Sequence, residues 1–214
     1  MTIALATLDS AFAQLPLVAI LRGVQPFEVE AIASALYAEG FRIIEVPLNS
    51  PDALASIGIL SRCLPADALI GAGTVLSAEA VQQVRIAGGR LIVMPHADVQ
   101  VITAAKKAEM FCVPGAATLT EAFSALNAGA DAIKLFPAEL ITPQIVKAMR
   151  AVLPANLKLL PVGGISPHNM APYLQAGAAG FGLGGSLYSV GLDAASVAKN
   201  ARAFVDIFAS FART

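Results

Sequence analysis

The sequence predicts an α/β fold of the (β/α)8 type, the TIM barrel, with an extra N-terminal helix. Three observations favour it. Short apolar stretches alternate with amphipathic ones eight times, the connections between them are short, and the chain of 214 residues has about the length that eight βα units require. This length is enough for a large core, and we interpret residues 1–214 as one domain.

The composition narrows the classes of partner. Hydrophobic residues make up 57% of the chain and charged residues only 14%, below the usual fraction of about 25%. This scarcity of charge indicates that both faces of the sheet are covered and is consistent with a subunit interface. The net charge is −1 and no basic run occurs, which argues against nucleic acid as a partner.

The extra helix is predicted within residues 1–15. The apolar residues with near-helical spacing are Ile3, Leu5, Leu8, Phe12 and Leu15. An Ala-Phe-Ala segment there resembles a signal-peptide cleavage site, but no positive charge precedes it and Asp9 interrupts the apolar run, so we expect no signal peptide. No uncharged apolar run reaches about 20 residues, so we expect no membrane span.

The eight units follow in order. The strands are predicted over residues 17–22, 42–47, 69–74, 90–94, 110–113, 131–136, 157–162 and 179–183. The helices that follow them are predicted over residues 26–39, 51–62, 77–87, 98–108, 118–128, 143–152, 167–175 and 193–211.

Capping residues mark the helix ends. Ser77 is a typical N-cap, and the glycines Gly40, Gly88, Gly129 and Gly177 follow helices as stops, in the manner of a weak internal repeat. A doubly wound open sheet is the main alternative. It usually has fewer strands and carries a GxGxxG or P-loop motif in the first βα turn, which is absent here.

Lys134 lies within an apolar strand. It is the one lysine among six that has strand-forming apolar residues on both sides. A lysine is rarely buried unless it is paired or used, and burial favours its neutral, nucleophilic form. The alternative is a lysine at a strand end whose amine reaches solvent.

The alternation of side chains along barrel strands predicts which residues lie near Lys134. Alternate residues of each strand face the interior, and active sites lie at the carboxyl ends of the strands. The residues assigned to the interior are Val18, Ile20 and Arg22 on the first strand, Ile43 and Glu45 on the second, Ile70, Ala72 and Thr74 on the third, and Ala132, Lys134 and Phe136 on the sixth. Four polar groups, Arg22, Glu45, Thr74 and Lys134, should therefore converge. A purely structural buried ion pair remains the alternative.

A buried amine beside a carboxylate suits Schiff-base chemistry. Lys134 would add to a ketone, and Glu45 would carry protons. His96 and His168 lie far apart, and Cys63 and Cys112 lack metal-ligand spacing, so we expect no metal and no cofactor. Two cysteines without a disulfide framework fit a reduced, cytoplasmic compartment.

Glycine pairs after the last two strands predict an anion site. Barrel enzymes frequently bind phosphate with these loops. The residues concerned are Gly163, Gly164, Gly184, Gly185 and Ser186. Glycines let backbone N–H groups approach an anion, and Ser186 adds a hydroxyl. Tight turns also use glycine pairs, which is the alternative.

Seven segments together carry a family resemblance. They are Ala-Ile-Leu-Arg-Gly23, Ile-Glu-Val-Pro-Leu-Asn-Ser-Pro51, Ile-Gly-Ala-Gly-Thr-Val75, Pro-Gly-Ala-Ala-Thr118, Ile-Lys-Leu-Phe-Pro137, Pro-Val-Gly-Gly-Ile165 and Gly-Leu-Gly-Gly-Ser186. The chain resembles the metal-free class I aldolases for 2-keto-3-deoxy-6-phospho sugar acids. The resemblance implies a homotrimer that forms pyruvate, with Lys134 as the Schiff-base lysine and Glu45 as the proton carrier. It also implies that Arg22, Thr74, Pro95 and Phe136 line the pyruvate end and that the glycine loops bind phosphate.

Two departures concern the sugar. Members acting on the gluconate compound typically have Arg-Thr-Pro in place of Asn49-Ser-Pro and Thr-Gly-Gly in place of Val162-Gly-Gly. Both resemble the galactonate branch, which implies 2-dehydro-3-deoxy-6-phosphogalactonate as substrate, split to pyruvate and D-glyceraldehyde 3-phosphate. Asn49 would leave more of the carboxylate contact to Arg22 and Thr74. Val162 would remove a hydroxyl near C4 and C5.

Three alternatives stay open. The same reaction could act on the gluconate epimer, or on both. A sugar-phosphate epimerase or isomerase would share the barrel and the phosphate loops, but it needs two opposed acid–base groups or a metal, and only one carboxylate is well placed. A catalytically inactive sugar-phosphate-binding barrel would show no covalent chemistry at Lys134.

Overall fold

The computed structural model describes residues 5–212 as alternating strands and helices. The strands are β1 (Leu17–Ile20), β2 (Ile43–Pro47), β3 (Leu69–Gly73), β4 (Leu91–Val93), β5 (Phe111–Val113), β6 (Gly115–Ala116), β7 (Ile133–Leu135), β8 (Leu159–Pro161) and β9 (Phe181–Leu183). The helices are α1 (Leu8–Gln14), α2 (Pro26–Ala38), α3 (Ala53–Cys63), α4 (Ala78–Ile86), α5 (Val99–Lys107), α6 (Leu119–Asn127), α7 (Pro143–Arg150), α8 (Met170–Gln175) and α9 (Ala194–Ala212).

The strands form two parallel sheets that curl. One has the order β5-β4-β3-β2-β1-β9 and the other the order β6-β7-β8. The predicted fifth strand corresponds to β5, and the short strand β6, which was not predicted, follows after Pro114 in the other sheet, because proline has no N–H to donate to a ladder. Backbone contacts still connect the two sheets at the two places, here called seams, where their edges meet. Asp131 N–H donates to Cys112 O at 3.0 Å, and Val162 forms a parallel bridge with Gly182.

Two apolar cores lie on opposite sides of the strands. The outer core fills the space between the sheets and the helices. The inner core contains Val18, Ile43 and Leu160, and Leu8 and Phe12 of α1 pack into it at the amino-terminal end of the strands. α1 covers the second part of the segment in which an N-terminal helix is predicted, and Thr7 is its N-cap. Ile3, which belonged to the predicted pattern, lies outside the described residues.

The helix boundaries agree with the capping signals. Ser77 Oγ accepts the Ala80 N–H at the start of α4. Gly40, Gly88, Gly129 and Gly177 follow their helices with φ between 90° and 99°, the left-handed conformation that ends a helix at low cost with glycine. Within residues 5–212, no helix combines the length and the apolar character needed to cross a bilayer.

The parity assigned to the third strand was wrong. Ile70 and Ala72 belong to the outer core, whereas Leu69 belongs to the inner one, so Gly71 and Gly73 are the other inward positions of β3. A Cβ atom at Gly71 would lie 1.9 Å from Leu91 O. Glycine therefore occurs where the neighbouring strand comes too close for a side chain.

The predicted strands were also longer than the observed ones, and the first and third extended too far at their carboxyl ends. β1 ends at Ile20 and β3 at Gly73, so Arg22 and Thr74 lie beyond their strands. Thr74 has φ +55°, so the backbone turns away from extended geometry at this residue. Both residues lie at the carboxyl edge of the sheet and outside the inner core.

Candidate active site

Lys134 and Glu45 are the buried charged residues at the centre of the site. Lys134 is 5% exposed in the middle of β7, and Glu45 is 1% exposed in the middle of β2. Both line an inner cavity together with Ile20, Val162 and Gly182. The prediction that both side chains point inward is confirmed.

Burial favours the uncharged form of both side chains, the neutral amine of Lys134 and the protonated carboxyl of Glu45. It lowers the pKa of Lys134, against the opposing effect of Glu45, and the positive charge of Arg22 lowers it further. Burial raises the pKa of Glu45 to about 7, although the charges of Lys134 and Arg22 act in the other direction. No hydrogen bond or ion pair joins the two side chains among the described residues, and Glu45 Oε2 has no partner there. The pair offers a nucleophilic amine and a carboxyl that can exchange a proton near neutral pH.

Gly73 provides the space for Glu45. A Cβ atom at position 73 would lie 1.3 Å from Glu45 Oε2, on the strand beside β2. Sequence reasoning missed this residue, because parity placed Ala72 and Thr74 on the inner face instead. The available signal was the second glycine of the Gly-Ala-Gly segment, at a place where a strand residue would normally carry a side chain.

A small hydrogen-bonded group surrounds Arg22 at the rim. Arg22 Nη1 donates to Asn49 Oδ1 at 2.6 Å, and Nη2 donates to Thr74 Oγ1 at 3.4 Å. Next to it, Gly23 N–H donates to Ser50 Oγ at 2.9 Å. Arg22 is exposed at the rim, and it lines the same cleft as Ile20 and Lys134, which agrees with the predicted convergence of these residues at the carboxyl ends of the strands. Asn49 and Thr74 orient the guanidinium, which leaves its remaining N–H groups for a ligand.

Three other predicted residues differ in their distance from Lys134. The centroid of the Phe136 ring lies 4.8 Å from Lys134 Nζ, and Val162 lines the same cavity as the lysine. Pro95 lies beyond β4 against Gly115, which pairs in register with Lys134. It is therefore one strand away from the lysine and does not line the cleft that contains it.

The cleft above Lys134 has a volume of about 170 Å³. It joins Lys134, Phe136 and Arg22 to the two predicted anion loops, whose lining residues are Gly163, Gly164, Gly184, Gly185 and Ser186. Gly163 and Gly164 have φ values of 110° and 61°, and the space next to Gly184 and Gly185 is open. The cleft can accommodate a ligand that places a carbonyl at Lys134 and an anionic group at the loops.

Comparisons with known proteins agree on one family. The family model for KDPG and KHG aldolases matches residues 8–202. A probable 2-dehydro-3-deoxy-6-phosphogalactonate aldolase of Rhizobium meliloti (strain 1021) is 46% identical over 87% of this chain and 88% of that protein. The 2-dehydro-3-deoxy-6-phosphogalactonate aldolase of Escherichia coli (strain K12) is 45% identical over 91% and 95%. A solved structure described as native KDPGal superimposes with a TM-score of 0.92 and 44% identity, over 94% of this chain and 98% of that one.

Proposed function

Because the chain belongs to the KDPG and KHG aldolase family, we propose that it splits 2-dehydro-3-deoxy-6-phospho-D-galactonate into pyruvate and D-glyceraldehyde 3-phosphate. The observation that carries this proposal is that a buried lysine and a buried carboxyl line one cavity. Burial lowers the pKa of the lysine and raises that of the carboxyl to about 7, in agreement with this reading. The relatives named for this activity, at 45% and 46% identity, support the substrate.

The cycle begins with Lys134. Its neutral amine attacks the C2 ketone to give a carbinolamine, and loss of water gives an iminium ion. Glu45 takes the proton of the C4 hydroxyl, the C3–C4 bond breaks, and its electron pair enters the iminium to leave an enamine. D-Glyceraldehyde 3-phosphate leaves. Glu45 then returns a proton to C3, and water hydrolyses the iminium to release pyruvate and free Lys134.

The other cleft residues bind the substrate. Arg22, held by Asn49 and Thr74, binds the C1 carboxylate, and Phe136 packs against the pyruvyl group. The backbone N–H groups of the two glycine loops, with the Ser186 hydroxyl, bind the phosphate. Pro95 packs against Gly115 and so supports β6, the strand that pairs with the strand of Lys134.

The preference for the galactonate epimer depends on Val162. This buried side chain lines the cleft between Lys134 and the glycine loops, where C4 and C5 of an extended substrate would lie. An apolar group there offers no hydrogen bond to a substrate hydroxyl, so the site lacks the partner that would favour the epimer whose hydroxyl points toward this side chain.

We also infer the architecture around this site. The backbone contacts at both seams support one closed (β/α)8 barrel within a single domain over residues 1–214, with α1 as its additional helix. Large apolar side chains on the surface support a homotrimer, among them Phe27 and Ile86 at 86% exposure and Leu140 at 72%. The free thiols of Cys63 and Cys112 support a cytoplasmic location.

Borohydride reduction in the presence of pyruvate tests the chemistry. We expect a reduced adduct on the peptide that contains Lys134, no adduct in Lys134→Met, and a normal adduct in Lys158→Met, whose lysine pairs with Asp9 elsewhere. The absence of any adduct would favour an isomerase or a binding protein, and an adduct on another lysine would refute the role of Lys134. In parallel, kcat/KM should be higher for the galactonate than for the gluconate epimer, and the reverse order would refute the substrate.

A further inference from the structure

A single turn after β9 carries one of the two glycine loops. The N–H groups of Leu187 and Tyr188 both donate to Gly184 O, at 2.8 and 3.0 Å. Gly185 and Ser186 lie inside this turn, and the space next to Gly185 is open toward the cleft. The position of residues 184–188 therefore decides where the phosphate of the substrate is held.

Tyr188 joins this turn to α2. Its side chain is only 2% exposed, and its hydroxyl donates to Glu28 Oε1 at 3.1 Å, across 160 positions of the sequence. The same carboxylate oxygen accepts the N–H of Gln25 at 3.0 Å, so the N-terminal turn of α2 fixes its position. On the other side, Asn200 Nδ2 of α9 donates to Leu187 O at 3.1 Å.

A second contact joins the same two segments. The loop that leads into α2 contains Arg22 and Gly23, and Gly23 has φ +84°. A Cβ atom at Gly23 would lie 2.7 Å from Val190 Cγ2, so the backbone of this loop packs against the chain just after Tyr188. The loop that carries Arg22 therefore packs against Val190, two residues beyond the turn that carries Ser186.

The two segments serve opposite ends of the substrate. Arg22 faces the carboxylate end, and the turn faces the phosphate. A glycine-containing turn has many accessible conformations, and ordering it during binding would weaken affinity. A turn already held at the correct distance from Arg22 and Lys134 avoids that loss and positions the ketone over the amine.

We propose that Tyr188, through its hydrogen bond to Glu28, is a positioning residue that sets the phosphate-binding turn at residues 184–188 relative to the Arg22 end of the cleft. It thereby determines the preference for phosphorylated substrates. This inference rests on the aldolase function proposed above and adds a residue that touches neither the substrate nor the reacting atoms.

Tyr188→Phe removes only the hydroxyl. Because a hydrogen bond to a charged acceptor is lost, we expect KM for the phosphorylated substrate to rise by about tenfold, with kcat within about twofold of the unmodified enzyme. Condensation of pyruvate with unphosphorylated D-glyceraldehyde should be unchanged, since that aldehyde does not use the turn. Trapping of pyruvate by borohydride should also be unchanged.

Matched variants separate positioning from general damage. Glu28→Gln keeps a side-chain oxygen that can accept from Tyr188 and Gln25, and it should retain the original KM, whereas Glu28→Ala should behave like Tyr188→Phe. Tyr37→Phe loses a comparable hydrogen bond, from the Tyr37 hydroxyl to Asp67 Oδ1 at 2.7 Å, in another part of the fold, and its KM should not change.

The outcomes are distinct. An unchanged KM in Tyr188→Phe and Glu28→Ala, or equal losses with phosphorylated and unphosphorylated aldehydes, would overturn the positioning role. If Tyr188→Phe fails to fold, the comparison of Glu28→Gln with Glu28→Ala gives the same decision. Absence of a pyruvate adduct in the unmodified enzyme would instead refute the aldolase function itself.

Discussion

Glu45 is held in an environment that destabilises its charge. It is buried, its Oε2 atom has no hydrogen-bond partner within residues 5–212, and its pKa is raised to about 7. A carboxylate of this kind lowers the stability of the folded state, because the unfolded chain solvates the same charge fully. Such a cost is expected where a group is placed for proton transfer and not for the fold.

Glu45→Gln should therefore increase stability above neutral pH. Between pH about 4.5 and about 7 the folded protein keeps the Glu45 proton that the unfolded chain loses, so the unmodified protein loses stability as the pH rises, by up to about 3 kcal/mol. Glutamine does not titrate, so the stability of the variant should lack this dependence on pH. Thermal unfolding should show the variant to be more stable at pH 8 and similar to the unmodified protein at pH 4. Equal midpoints at pH 8 would contradict the raised pKa, and activity should fall sharply in the variant.

The sequence predicted the residues of the site better than their contacts. Lys134 was recognisable because a lysine in an apolar strand is rare, and Glu45 because strand parity placed it on the same side. The group formed by Arg22, Asn49 and Thr74 was not predicted as such. It depends on where β1 and β3 end, and those ends are set by pairing with neighbouring strands, which local sequence does not encode.

At the scale of elements, β3 illustrates why the sequence did not predict correctly which of its residues face the interior. Both faces of this strand are buried, one against helices and one inside the barrel, so apolar residues occupy alternate positions on both sides and carry no directional signal. Gly71 and Gly73 face inward because Leu91 and Glu45 already fill that space. Helix boundaries were predicted more accurately, because caps such as Ser77 act locally.

Gly73→Ala should displace the Glu45 carboxylate. The added methyl would overlap Oε2, and the side chain must rotate away at a cost of about 1–3 kcal/mol, as for other overpacked sites. We expect kcat to fall at least about tenfold, since a misplaced proton carrier loses much of its contribution, while pyruvate trapping on Lys134 persists. Gly58→Ala in α3 is the control, because its Cβ would meet the flexible end of Arg62 at 3.3 Å and Ala87 O at an ordinary contact distance of 3.6 Å, and it should retain full activity. A normal kcat in Gly73→Ala would show that Glu45 does not need this position.

At the scale of the whole molecule, the chain exposes large apolar side chains that its own fold does not cover. The low charge content already suggested an interface, but sequence alone could not give the number of subunits, because contacts between copies leave no periodic pattern along one chain. Sedimentation equilibrium should give a mass three times the chain mass of 21.9 kDa, independent of loading concentration. A mass equal to one chain would refute the trimer.

Leu8 and Phe12 pack into the inner core and line the cavity that contains Lys134 and Glu45, on the side away from the glycine loops. With the roles proposed above, substrate and products would pass through the cleft beside those loops. The aldehyde product would then depart before pyruvate, which would be bonded deeper at Lys134. In the synthetic direction pyruvate would enter first, since a phosphorylated aldehyde already in place would obstruct its path. An ordered kinetic scheme would thus follow in part from a short helix at the opposite end of the strands.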